Sequence, residues 1–168
     1  MDSSWKRPKI NIPKTTSEKL WDLIGFSFYI GSIIFLFSVW CILPDQVPGH
    51  YNGLGEVERW GSKWELIILP VISFFLFLMM QLFEKNPEWH NYPSQFNESN
   101  AKAFYLLSRK MLNIEKNICL LVLQSIHIES IMVALGWLKG LGVWFLPLAF
   151  LSVFLPIIVQ IIKQRKIT

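Results

Sequence analysis

The sequence predicts an all-α integral membrane protein with four transmembrane helices, and three observations carry that prediction. The 168-residue chain is 52% hydrophobic and only 17% charged, with thirteen Phe and eight Trp, which is too apolar for an ordinary soluble domain. Four stretches, residues 21–43, 64–83, 118–138 and 141–162, each supply the roughly 20 apolar residues that a bilayer span needs. Lysine and arginine crowd the first tail, the middle connection and the last tail. The two other connections carry only Arg59 and Lys63 in one and Lys139 in the other.

Residues 1–19 form a basic tail with Pro8 and Pro13 and no hydrophobic period, read as extended chain until Thr16 or Ser17 starts a helix. The first span is too long for the apolar core of a signal peptide and lacks a small-residue cleavage site, so it is expected to stay in the membrane. Ser27, Gly31 and Ser38 lie along one line of it, with Gly25 and Ser32 on a neighbouring line. Small residues let helix backbones approach closely in lipid, so Ser27 and Gly31 are expected at a packing seam.

Residues 20–83 read as a two-span domain around the connection 44–63. The prolines, glycines and Asn52-Gly53 pair of that connection specify a shaped loop. It concentrates polar groups at one membrane face, and His50, Asn52, Glu56 and Arg59 are its candidate ligand contacts.

The middle connection, 84–117, divides in two. Residues 84–97 read as an irregular interfacial loop. From Ser99 onward Phe104, Leu107, Met111, Ile114 and Ile118 recur at helical spacing. This predicts an inner amphipathic helix that either lies on the leaflet or runs directly into the third span. A docking face for a cytosolic partner is the other reading of its apolar side. Residues 118–162 form a transmembrane hairpin, because Lys139-Gly140-Leu141-Gly142 leaves chain only for a turn. Pro147 and Pro156 are expected to kink the fourth span or free carbonyls within it. Residues 163–168 are a second basic tail.

By the positive-inside rule both termini and the middle connection are cytoplasmic, and loop 44–63 is extracytoplasmic. Trp40, Trp60, Trp64, Trp137 and Trp144 then fall at the outer interface, where an amphipathic ring is stable. The net charge of +4 comes from residues flanking spans, where each attracts anionic lipid by about 1 kcal/mol. Nucleic acid is therefore not an expected partner.

Polar groups inside a membrane are costly and direct attention to function. Asn113, Asn117, Gln124 and His127 follow helical spacing and make one stripe, expected to face the bundle interior. Glu129 lies about 200° around the helix from His127 and shares a face with Ser125. Helix-bridging hydrogen bonds are the structural account of Gln124 and His127. For Glu129 a carboxyl at depth must be protonated, paired or hydrated. Catalysis finds little support: there is no nucleophile motif or phosphate-binding glycine loop. A single loop histidine falls short of the three ligands of catalytic zinc, so no metal or cofactor is expected.

The ordered run LPDQVPGHYNGLGEVERWGSKWELIILP resembles a bacterial membrane-domain family of unknown function. Leu43, Pro44, Val47, Pro48, His50, Tyr51, Asn52, Gly55, Gly61, Lys63 and Pro70 fit its pattern, over roughly residues 25–83. The same domain forms the N-terminal part of the sporulation-delaying toxin immunity protein family. That resemblance implies a multi-pass protein of the bacterial plasma membrane. It also implies immunity to a secreted peptide toxin, sometimes with signalling through a tethered cytosolic repressor. Those proteins are longer, with further C-terminal spans. The resulting expectation is a non-enzymatic toxin-immunity or ligand-sensing protein that binds an extracellular peptide or lipid-linked ligand. Its partners would be the lipid bilayer, that peptide toxin and a cytosolic regulator. The alternative is an accessory or transport subunit of a larger membrane complex.

Overall fold

Thr15 ends the extended N-terminal segment, and Glu18 reaches back to it. The Glu18 Oε2 accepts from the Thr15 backbone N–H and from its hydroxyl, both at 2.7 Å. That cap starts α1, Thr16–Val39. The computed structural model describes residues 7–167. After α1 come the strands β1, Gln46–Tyr51, and β2, Val57–Ser62, then a 3-10 turn at Lys63–Ile67. The helices α2, Ile68–Lys85, α3, Ala101–Ala134, and α4, Phe145–Gln164, complete the chain. Four helical segments among the described residues are long and apolar enough to cross a membrane, the second including its 3-10 start. The fold is that of an all-α, multi-pass membrane protein with one added β-hairpin.

α3 is the axis against which α1, α2 and α4 all pack. Its 34 residues, at a rise of about 1.5 Å each, make a rod roughly 51 Å long, well beyond a hydrocarbon core of about 30 Å. The amphipathic stretch is therefore the first half of α3, not a separate helix on the leaflet. Its apolar side is already covered by the chain itself: Phe104 and Tyr105 are fully buried. Tyr92 and Phe96 stack on each other at 4.5 Å and meet Phe104 edge-on at 5.8 and 5.7 Å.

The packing seam of α1 is one line over from the expected one. Gly25, Tyr29, Ser32, Leu36 and Val39 are buried, whereas Ser27 and Gly31 are exposed. A Cβ at Gly31 would meet nothing within 4 Å, but one at Gly25 would lie 2.3 Å from Asn117 Oδ1 of α3. Gly25 is thus what allows α1 and α3 to touch. Large side chains at 29 and 36 share its helical line and turn that side inward.

α4 is the most open helix and packs mainly on α3. Pro147 falls in its first turn, where a missing N–H costs little, and the helix runs on through Pro156. Gln160 donates from Nε2 to the Leu107 carbonyl and ties α4 to α3 at the end where Lys14 and Lys116 lie. This is the basic end of the bundle. At the opposite, hairpin end, Leu36, Val39, Leu43, Val47, Leu66 and Ile131 form an apolar core.

Candidate functional site

The connection 44–63 is an antiparallel hairpin in which His50 pairs with Arg59 and Tyr51 with Val57. Register shifts on both sides of His50 leave Gly49 and Glu58 as extra residues, so the ribbon bends there. Asn52 builds the turn. Its Oδ1 accepts from the N–H groups of Leu54 at 2.9 Å and Glu56 at 3.0 Å, and its Nδ2 donates to Glu56 Oε2 at 3.0 Å. Gly55, at φ 78° and with Gly142 backbone where a Cβ would stand, closes the turn. The Leu141 N–H donates to the Gly55 carbonyl at 2.8 Å, and a β-bridge joins Glu56 to Gly140. The two short connections at this end are therefore one unit.

Under the hairpin lies a cavity of about 420 Å³ between α2, α3 and α4. His50, Asn52, Arg59 and Glu65 contribute its polar groups, and Ile68, Leu69, Ile126 and Phe145 much of its apolar wall. The Tyr51 hydroxyl donates to Ser130 Oγ at 3.0 Å across it. Burial raises the Tyr51 pKa and the Glu129 charge adds to that, outweighing the Ser130 hydrogen bond. The phenol therefore stays protonated as a donor.

Of the four loop candidates, three line this cavity and Glu56 does not. Three of the four are already committed to partners in or next to the hairpin. Arg59 grips Glu65 through two hydrogen bonds of 3.2 and 2.7 Å and donates to the Gly49 carbonyl at 3.0 Å. The hydrogen bonds to Glu65 hold its pKa above the usual arginine value. His50 is the exception: its side chain is largely exposed, with Nε2 3.4 Å from Glu58 Oε2. Asn52 and Glu56 are committed to the turn.

Asn113, Asn117, Gln124 and His127 are all without solvent exposure. Gln124 bridges three helices, accepting from Ser32 Oγ at 2.6 Å and donating to Ser73 Oγ at 2.8 Å. Neither His127 ring nitrogen has a hydrogen-bond partner. Glu129 and Ser125 line a different place, the long groove between α3 and α4.

The densest charge cluster is at the basic end. Lys14, Asp22, Glu84 and Lys116 form ion pairs of 2.5–2.8 Å. Arg109 grips Glu18 at 2.8 and 3.0 Å and also donates to the Ile12 and Pro13 carbonyls. Asn117 Nδ2 adds a bond to Asp22 at 3.1 Å. Burial opposes the charge on Lys14, but hydrogen bonds to Asp22 and Glu84 outweigh it and raise its pKa. Lys14, Asp22, Glu84 and Lys116 thus close a charge ring, and Arg109 holds the strap of residues 7–15, which has no helix or strand. Arg109 and Lys116 are buried ion-pair partners and not charges that meet lipid headgroups. The available signal was Asp22 inside an otherwise apolar first span, since a carboxylate at that depth demands a cation.

Residues 28–74, from the middle of α1 through the hairpin into α2, match a domain of unknown function, DUF1648. An uncharacterized protein of Archaeoglobus fulgidus is 35% identical over 60 residues, 31% of this chain and 33% of that protein. The chain thus spans about a third of the length of the curated relative it matches. No solved structure matches it. These similarities, with the four spans, make it a multi-pass membrane-type protein whose hairpin segment resembles a domain without known function.

Proposed function

We propose that the protein is a non-enzymatic binding protein of the toxin-immunity or ligand-sensing type. It would take an extracellular peptide or lipid-linked ligand into the cavity under its hairpin. One observation carries the reading: the cavity joins polar groups of the hairpin to an apolar wall from three helices. Such a lining suits an amphiphile with its polar part at the interface and its apolar part among the helices. The backbone link from Gly55 to Leu141 supports a mechanism by differential binding. A ligand that changes the seat of the hairpin also moves the start of α4, so it selects between two arrangements of the bundle.

The lysine and arginine distribution supports an outward-facing hairpin, and the resemblance of residues 43–70 implies a bacterial plasma membrane. The immunity reading rests on the resemblance of residues 43–70. Expression in a toxin-sensitive Gram-positive host, challenged with producer-strain supernatant, tests it. Wild type should protect and His50→Ala should not. Equal protection would move recognition off the hairpin. Absence of protection, with both proteins confirmed in the membrane, would sink the immunity reading.

A second reading has its own observation. Ser27 and Gly31 form an exposed small-residue line on α1 with nothing packed on it, a surface suited to close helix approach. An accessory subunit would use it to hold a larger membrane partner. Stoichiometric co-purification in mild detergent, lost on Gly31→Leu, is the expected result; a wild-type protein that purifies alone as a monomer excludes it.

A further inference from the structure

Between α3 and α4 runs a groove of about 780 Å³. Its α4 wall carries Ala149, Ser152 and Pro156, three short side chains on one helical face, which leave room between the helices. Ile114, Ile118 and Leu121 line the α3 wall. From Met111 to Glu129 on one side, and from Phe145 to Lys163 on the other, each wall rises about 27 Å. That is close to the roughly 30 Å of a hydrocarbon core. The groove therefore crosses nearly the whole apolar layer.

Polar groups are placed unevenly along it. Lys163 and Gln160 stand at the basic end, where Trp21 of α1 also lines the groove. The next polar residue on the α4 wall is Ser152, about 16 Å of helix from Lys163. Its hydroxyl is already spent on the Ala149 carbonyl at 2.8 Å. On the α3 wall the first is Ser125, about 21 Å of helix from Met111. One leaflet contributes about 15 Å, half of the hydrocarbon core. Above its basic mouth the groove is thus apolar to the depth of one leaflet.

Lys163 gives that mouth its selectivity. It is exposed and has no ion pair or side-chain hydrogen bond among the described residues. In this it differs from Lys14, Arg109 and Lys116 at the same end, whose charges are taken up inside the protein. Arg165 and Lys166 follow, equally exposed and equally without an acidic partner among the described residues. A basic recess between spans attracts anionic headgroups, and an indole such as Trp21 suits the same interfacial depth.

We propose that the α3–α4 groove binds one anionic phospholipid from the leaflet at the basic end, with its phosphate against Lys163 and one acyl chain between the helices. The chain fills the apolar depth and stops short of Ser125 and Glu129. A zwitterionic lipid offers the same chain, but its own cation offsets the phosphate. Only Phe145 lines both this groove and the hairpin cavity, so the proposal does not rest on the function assigned to that cavity.

Native mass spectrometry of the full chain, released from a neutral detergent, counts retained lipid directly. Dioleoyl phosphatidylglycerol should be retained as a single copy, several-fold more than dioleoyl phosphatidylcholine at equal concentration. Lys163→Gln should lower phosphatidylglycerol retention about fivefold and remove the headgroup preference. Lys85→Gln, an exposed lysine at the end of α2, should change neither. Ile114→Trp, which places an indole in the path of the chain, should lower retention of both lipids. Dihexanoyl phosphatidylglycerol, with the same head and little chain, should not be retained. Equal retention of the two dioleoyl lipids would overturn the proposal, as would equal losses in Lys85→Gln and Lys163→Gln, which signify diffuse surface charge. Full retention of the dihexanoyl lipid, or of the dioleoyl lipid by a folded Ile114→Trp, would also overturn it. If that variant does not fold, the comparison of chain lengths decides the acyl contact alone.

Discussion

Glu84 of α2 and Lys116 of α3 meet at 2.5 Å with essentially no side-chain exposure on either partner. Removing Lys116 leaves the carboxylates of Glu84 and Asp22 to share Lys14 alone, and an uncompensated buried charge costs about 3–5 kcal/mol. Lys116→Met should therefore destabilise the detergent-solubilised protein by that order. Adding Glu84→Leu should recover most of the loss, since Lys14 and Asp22 then neutralise each other. Chemical unfolding of the two variants provides the comparison, and a double variant worse than the single one would refute the account.

Arg109 ties α1 to the strap through one planar group, gripping Glu18 while donating to the Ile12 and Pro13 carbonyls. Lysine keeps the charge but lacks the fork. Arg109→Lys should lower stability by about 2 kcal/mol, less than full removal of a buried partner. It should also speed proteolysis before residue 15, measured by fragment mass. Unchanged proteolysis would show that other contacts hold the strap.

Gly25 and Gly31 lie on the same helix and should respond unequally. A methyl group at 25 meets Asn117 Oδ1, whereas at 31 it meets nothing within 4 Å. Gly25→Ala should cost about 1–3 kcal/mol through forced displacement of α3. Gly31→Ala should stay within about 0.5 kcal/mol. Thermal midpoints of the two purified variants separate these outcomes.

His90 makes stability fall on mild acidification. Its Nε2 lies 2.9 Å from the Phe83 carbonyl, an acceptor only, so Nε2 carries the proton and Nδ1 accepts from the Ser108 hydroxyl at 2.6 Å. Burial lowers its pKa from 6.5, against the opposing pull of the Phe83 carbonyl and Glu88. The unfolded chain therefore binds the proton more readily. Stability contributed by neutral His90 is complete above pH 6.5 and declines as pH falls toward the lower folded value. Thermal midpoints between pH 5 and 7.5 should slope for wild type and flatten for His90→Gln. Parallel slopes would assign the effect elsewhere.

The spans were legible because apolar length is a local property, readable in a single stretch of chain. The helix start at Thr16 was legible as well, whereas the apolar span reads only from residue 21, because Glu18 and Asp22 interrupt it until their cations are in view. The hairpin hid for a related reason. Pro48-Gly49 interrupts the alternation of β1, and Asn52-Gly53 reads as a turn without naming the strands that flank it. The charge ring was least legible, since its members come from the strap and three helices. Each one alone resembles an ordinary residue near a membrane surface. The loop candidates failed as a free constellation because a sequence shows which groups are present but not which have already paired, as Arg59 has with Glu65.

α3 is unbroken from Ala101, past the charge ring, to Ser130 beneath Tyr51, and this gives it mechanical leverage. A rigid rod of roughly 51 Å, tilted by about 5° around one end, displaces the other by about 4 Å. A change of seating at the hairpin too small to alter any helix would thus arrive at the opposite face of the membrane as a movement wider than a hydrogen bond.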